Sequence, residues 1–184
     1  MQASKRAYRR IKDTLMKLKD KTPTLALLGI MVAAAFILSY LESLLPSISG
    51  IPGVKAGLAN IPTLLVLYTQ GPAGAALVSI ARIILAGLTF NGLSAMLFSL
   101  AGAVVSLIFM TVLKKIGSFS ITAVSVAGGV CHNIGQLAAS CVMIGMPILY
   151  YLPVLIVSGA VAGALVGVIT TLTLKHLRSS IVKG

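Results

Sequence analysis

Long apolar runs, each about the length needed to cross a bilayer, are what most limits the folds open to this chain. They begin near Thr24 and end near Leu174, and charged residues sit almost wholly at their edges. Of the fifteen Lys and Arg residues, eight precede Pro23 and five more are Lys114, Lys115, Lys175, Arg178 and Lys183. Hydrophobic residues make up 58% of the 184-residue chain and charged ones 10%, well under the charged share of an ordinary soluble domain. Backbone inside hydrocarbon must satisfy its own hydrogen bonds, so runs of this length fold as helices. A net charge of +12 would suit a nucleic-acid binder. Basic clusters that flank apolar spans are instead topology signals and contacts for anionic membrane lipid, so nucleic acid is not the partner read here.

Six spans are predicted, at about 24–45, 54–69, 72–88, 93–113, 119–144 and 150–174, which makes the chain an all-α integral membrane bundle. Gln70-Gly71-Pro72, Thr89-Phe90-Asn91-Gly92, Gly117-Ser118 and Gly145-Met146-Pro147 read as the turns between them. An even number of spans puts both termini on one side. The positive-inside rule makes that side cytoplasmic, because the N-terminal segment, Lys114-Lys115 and the C-terminal tail all fall there. The chain thus divides into a basic segment 1–22, a transmembrane domain 23–177 and a basic tail 178–184 of a multi-pass cell-membrane protein. In segment 1–22, Tyr8, Ile11, Leu15 and Leu18 recur at helical spacing among the basic residues. It is either an amphipathic helix lying on the cytoplasmic leaflet or a disordered basic tail. The apolar run after it is too long for a signal-peptide core, and no small-x-small cleavage site follows.

Small residues mark close helix contacts. Gly29 and Ala33 lie four apart on the first span, Ala95, Ser99 and Ala103 form a stripe on the fourth, and Gly159, Gly163 and Gly167 form a seam on the sixth. Tyr150 and Tyr151 read as interfacial anchors. Cys131 and Cys141 share one predicted helix, roughly 15 Å apart, too far for a disulfide; they read as core thiols, with no zinc-type spacing around them.

The longest break in the apolar pattern runs from Pro46 to Pro62 and holds three of the seven prolines and three of the eighteen glycines. Proline removes a backbone donor and glycine tolerates positive φ, so this stretch reads as an outward loop dipping over the helices, with Lys55 on it. Arg82 falls within the third span, where an arginine costs about 2.5–3.5 kcal/mol to insert. It either pairs with Glu42, the acid at the end of the first span, or joins Lys55 in an outward anion site. Lys55 either binds there or snorkels at the interface. His132 and Gln136 lie one turn apart on the fifth span, with Asn133 beside them and Ser140 one turn further. These groups either satisfy one another across helices or wall a polar cavity. Asn60 either joins that wall or caps the second helix. No phosphate-binding Gly-rich loop ending in Lys-Ser/Thr, no aspartate cluster for metal and diphosphate, and no nucleophilic triad with a buried acid can be assembled, and no cofactor is implied.

The stretch Pro52-Gly53-Val54-Lys55-Ala56-Gly57-Leu58-Ala59-Asn60-Ile61-Pro62, followed by Gly71-Pro72 and Ser79-Ile80-Ala81-Arg82, resembles the Gx transporter family, whose members are often labelled heptaprenyl diphosphate synthase component I. The resemblance covers about residues 24–177. Six helices, a small-residue surface on the first and a loop after it are similar to the substrate-binding S components of energy-coupling-factor (ECF) importers. That resemblance implies a non-enzymatic subunit that captures a small, anionic micronutrient from outside, under the loop joining helices one and two. A transmembrane T component and two ATPases then topple it in the membrane. The polar and charged residues among the spans place the expected ligand contacts of such a subunit at Lys55, Asn60, Arg82, His132, Asn133, Gln136 and Glu42. Gly29-x-x-x-Ala33 would stand where the family's alanine motif meets the T component. The alternative implied by the label is a non-catalytic accessory subunit of isoprenoid quinone synthesis or of flavin-linked extracellular electron transfer.

Overall fold

Proline and glycine set most of the helix boundaries. The computed structural model describes residues 24–44 and 56–183, with side chains through Leu177. The basic N-terminal segment, the loop from Pro46 with Lys55, and the tail side chains from Arg178 lie outside the described residues. Helix α1 is Thr24–Leu44. Gly57, at φ 77°, turns the chain into a short 3-10 turn, Leu58–Asn60, which leads into α2, Ile61–Thr69, with a proline in its first turn. Pro72 opens α3, Pro72–Ala86, which continues as a π-helical turn over Gly87–Asn91. Helix α4, Leu93–Ile116, ends on Gly117 in the left-handed region. The Ser120 hydroxyl accepts from the Ala123 amide at 3.1 Å and so caps α5, Ile121–Ile144. A 3-10 turn, Met146–Tyr151, leads into α6, Leu152–Lys183.

Every secondary-structure element among the described residues is helical, and four helical stretches are long and apolar enough to cross a membrane: Thr24–Leu44, Pro72–Asn91, Leu93–Ile116 and Met146–Leu177. The chain is therefore a multi-pass membrane protein. The two other predicted spans differ. Helix α5 has 24 residues but carries the polar stripe, whereas the second apolar helix covers only Leu58–Thr69, short of the roughly 20 residues a spanning helix needs. The expected turn at Thr89–Asn91 is helical instead. Phe90 packs on Phe36 and Tyr40 of α1, with ring centroids 5.7 and 5.6 Å away, and this packing overrides the turn-like composition. Helix α6 runs on to Lys183, past the expected end near residue 174.

Polarity is arranged inside-out. Leu25, Ile30, Ile37, Leu41, Val104, Ile108, Val157, Val161 and Leu172 are exposed, while Ser39, Thr63, Ser79, Ser106, Ser125, Ser140 and Thr170 are buried. An apolar exterior suits lipid, and interior hydroxyls give helices something to bond with where water is absent. Helix α5 is central, packed along both α4 and α6. Its contact with α6 is the predicted glycine seam. A Cβ on Gly159 would sit 2.7 Å from the Gly129 carbonyl oxygen, and one on Gly163 would sit 2.6 Å from the Ser125 carbonyl oxygen. The apolar core joins Leu28 and Ala35 of α1, Leu64, Val66 and Leu67 of α2 and Ala75 and Val78 of α3 to Met110 of α4, Val124 of α5 and Val166 of α6. At the end of the bundle holding the α2 C-terminus, Lys114 Nζ donates to the Leu67 carbonyl at 2.5 Å and lies 5.0 Å from the Tyr68 ring centroid. Lys114, read from sequence as a topology signal, thus also caps α2.

Candidate functional site

At the opposite end from Lys114, the helices separate around a cavity of about 630 Å³. Its wall comes from Ser39 and Glu42 on α1, Gly57 before the 3-10 turn, Arg82, Ile83 and Ala86 on α3, and Gly87 and Asn91 on the π turn. Ser94, Met96, Phe98 and Ser99 on α4, His132, Asn133, Gln136 and Ser140 on α5, and Tyr151, Leu155 and Gly159 towards α6 complete it. Glu42 and Gly57, which bracket the loop outside the described residues, both line this cavity. Gly57 adopts φ 77°, a left-handed conformation that favours glycine, and packs in ordinary contact with Ala162.

Arg82 is held by neutral oxygens. Its Nη1 donates to Ser39 Oγ at 3.3 Å and its Nη2 to Asn60 Oδ1 at 3.2 Å, while its buried Nε has no protein partner. The ion pair with Glu42, one of the two readings of the sequence, is not the arrangement formed. The Glu42 carboxylate instead accepts from the Leu58 backbone N–H at 2.8 Å and ties α1 to the start of the 3-10 turn. Both charges nevertheless face one cavity. Long, charge-to-neutral hydrogen bonds are weak competitors for a guanidinium, which binds carboxylate or phosphate more strongly and in two-point fashion.

The α5 stripe divides by task. The Asn133 amide donates to the Leu155 carbonyl at 2.7 Å and to Ser158 Oγ at 3.3 Å, so it fastens α5 to α6 as well as lining the cavity. Gln136 Nε2 donates to Ser99 Oγ at 3.4 Å, across to α4. His132 packs its ring against Gly102, where a Cβ would come 3.1 Å from His132 Cε1 and 2.6 Å from its carbonyl oxygen. Asn60 occupies the N-cap position of α2 without a side-chain capping bond; its oxygen serves Arg82 instead.

Of the residues expected at the site, Glu42, Arg82, His132, Asn133 and Gln136 converge on the cavity, and Asn60 joins them through Arg82. Lys55 lies outside the described residues. Gly29 and Ala33 are exposed on the outer face of α1, and a Cβ at Gly29 would meet nothing within 4 Å. Sequence reading missed Ser39, Asn91 and Tyr151. Ser39 lies three residues before Glu42, one helical turn away on the same face, which was the available signal. Tyr151 was read as a membrane anchor; it is partly exposed and also borders the cavity, while Tyr150 is 90% exposed.

A family model described as heptaprenyl diphosphate synthase component I matches residues 31–173. The chain belongs to that family. The matched region takes in every described wall of the cavity, from Ser39 to Ala162. Comparison with curated proteins and with solved structures gives no match.

Proposed function

We propose that this chain is the substrate-binding subunit of an energy-coupling-factor type importer, capturing a small anionic molecule from outside the cell membrane. The observation that carries the reading is the cavity of about 630 Å³ with Arg82 in its wall, its guanidinium held, among the described residues, by neutral oxygens. A volume of this size falls within the range of small-molecule sites, and mixed polar and apolar walls are their usual lining. Glu42 is engaged by the Leu58 amide, which leaves Arg82 as the group suited to an anion; Lys55, two residues before Gly57, is a second candidate cation. On this reading the chain makes six crossings, with both termini cytoplasmic. Lys114 and Lys115 lie at the inner end and the cavity at the outer end. The exposed Gly29 and Ala33 face on α1 then offers a close-packing surface to a T component, and two ATPases supply the energy. The chain itself is not an enzyme on this reading and holds no cofactor.

A second reading takes its name from the family's description: an accessory membrane subunit for a prenyl diphosphate synthase, without catalysis of its own. Purification of the tagged protein from its native membrane separates the two. The import reading expects co-elution with a helical membrane subunit and an ATPase pair, together with a small anionic molecule detected by mass spectrometry. Co-elution with a soluble prenyl synthase, and no small molecule, would overturn it.

A further inference from the structure

Polar and apolar residues are segregated around the large cavity. Arg82 lies midway along α3, where Ser39 and Asn60 hold its guanidinium, and His132 lies midway along α5. Towards its C-terminus α5 contributes Gln136 and Ser140 to the wall and then Ile144, about 18 Å beyond His132 at the helical rise per residue. Ile148 and Tyr151, in the 3-10 turn that follows, continue an apolar strip from Ile144 at the mouth, and Leu155 carries it inward on α6. The α6 side of the wall holds no charged side chain among the described residues.

The amide and hydroxyl donors of α5 are already engaged within the bundle. Asn133 serves Leu155 and Ser158, Gln136 serves Ser99, and the Ser140 hydroxyl donates to the Gln136 carbonyl at 2.9 Å. A polyol, nucleoside or peptide would bury many acceptors against that wall, and each one left unpaired weakens binding. An apolar body gains instead by leaving water for the strip.

We infer that the cavity takes an amphipathic acid from solution. One carboxylate or phosphate head sits at Arg82, and an apolar aryl or alkyl body lies along Ile144, Ile148, Tyr151 and Leu155 towards the mouth. This rests on the anion-capture reading and narrows it to one class; sugars, nucleotides and polycarboxylates fall outside it.

Isothermal titration of the full chain in phosphatidylcholine nanodiscs, corrected with empty discs, tests this with benzoate, phenylacetate, phenylpropionate and phenylbutyrate. Inorganic phosphate, gluconate and phenylbutanol are the controls. Affinity should rise along the acid series about fourfold per methylene, as expected for burial of apolar surface. Arg82→Ala should lose binding of every acid. Ile148→Gln and Leu155→Gln should flatten the rise and retain benzoate; Ile148 is half-buried in a turn, so its variant decides should Leu155→Gln not fold. Equal affinity along the series, preference for gluconate or phosphate, or no saturable binding of any acid at millimolar concentration would overturn the amphipathic class and leave anion capture standing. Phenylbutanol bound as tightly as phenylbutyrate, or acid binding undiminished in Arg82→Ala, would overturn both. Loss of phenylbutyrate binding in phosphatidylglycerol discs at high salt would make a bilayer lipid the occupant and overturn the dissolved acid.

Discussion

Lys114 and Arg82 are both cations placed among helices, and the bundle treats them differently. Lys114 is fully engaged: its ammonium closes the α2 C-terminus on the Leu67 carbonyl and lies over the Tyr68 ring. Arg82 rests on two long bonds to Ser39 and Asn60, keeps one buried N–H without a protein partner, and faces a cavity. The first cation stabilises an end of the fold. The second is positioned but not satisfied, which is the condition expected of a group that awaits an anion. The difference lies in the partners, since a carbonyl at a helix terminus is an orphan acceptor that needs a donor, whereas serine and asparagine oxygens can release one cheaply.

The comparison is most drastically broken by removing the frame that holds both ends. Gly159→Leu would drive a side chain into the Gly129 carbonyl and the Asn133 amide. Overpacking typically costs ~1–3 kcal/mol, and more where backbone must move, so the melting temperature should fall sharply and ligand retention with it. An unchanged melting curve would show that the α5–α6 seam does not set the cavity. Arg82→Ala and Lys114→Met sharpen the contrast directly. Loss of a charged ligand contact is worth ~2–5 kcal/mol in binding, and Arg82→Ala should lose it at unchanged melting temperature. Lys114→Met should lower stability by ~1–2 kcal/mol through the uncapped Leu67 carbonyl and leave retention intact. Identical behaviour of the two variants in thermal unfolding and retention would erase the distinction. Asn133→Leu removes two interhelical bonds to α6, each worth ~0.6–1 kcal/mol within a membrane, and should produce a small drop in melting temperature. The smallest effect belongs to Gly29→Leu. With nothing within 4 Å of a Cβ there, stability should stay within ~0.5 kcal/mol, and the change should appear only as weaker recovery of a partner membrane subunit.

Much of this arrangement is legible in the residues, for reasons that differ from element to element. The boundaries of α1, α4 and α5 follow from proline, glycine and serine punctuation, and the glycine seam of α6 from its four-residue period. His132 and Gln136 share a face because helical spacing requires it, so the polar wall could be read without coordinates. What escaped is set by contacts between distant parts of the chain. Asn60 and Arg82 are 22 residues apart, and nothing local says that the asparagine serves the arginine and not its own helix. Charge scarcity offers an Arg82–Glu42 ion pair as one of two readings, and nothing in the residues shows that the backbone amide of Leu58 reaches the carboxylate instead. Thr89-Phe90-Asn91 has the composition of a turn, and only the rings of Phe36 and Tyr40 explain why it stays helical. Helix α2 is apolar like its neighbours, and composition does not show that with its 3-10 turn it covers only Leu58–Thr69, fewer than the roughly 20 residues of a usual span.

Whether the Arg82 guanidinium holds an anion can be measured directly. Small molecules released by denaturing the purified wild type, Arg82→Ala and Arg82→Lys proteins, each first matched by melting temperature, can be compared by mass spectrometry. A carboxylate- or phosphate-bearing compound should be present with the wild type, reduced with Arg82→Lys and absent with Arg82→Ala. Equal recovery from wild type and Arg82→Ala, or no such compound from the wild type after exposure to cell extract, would contradict it.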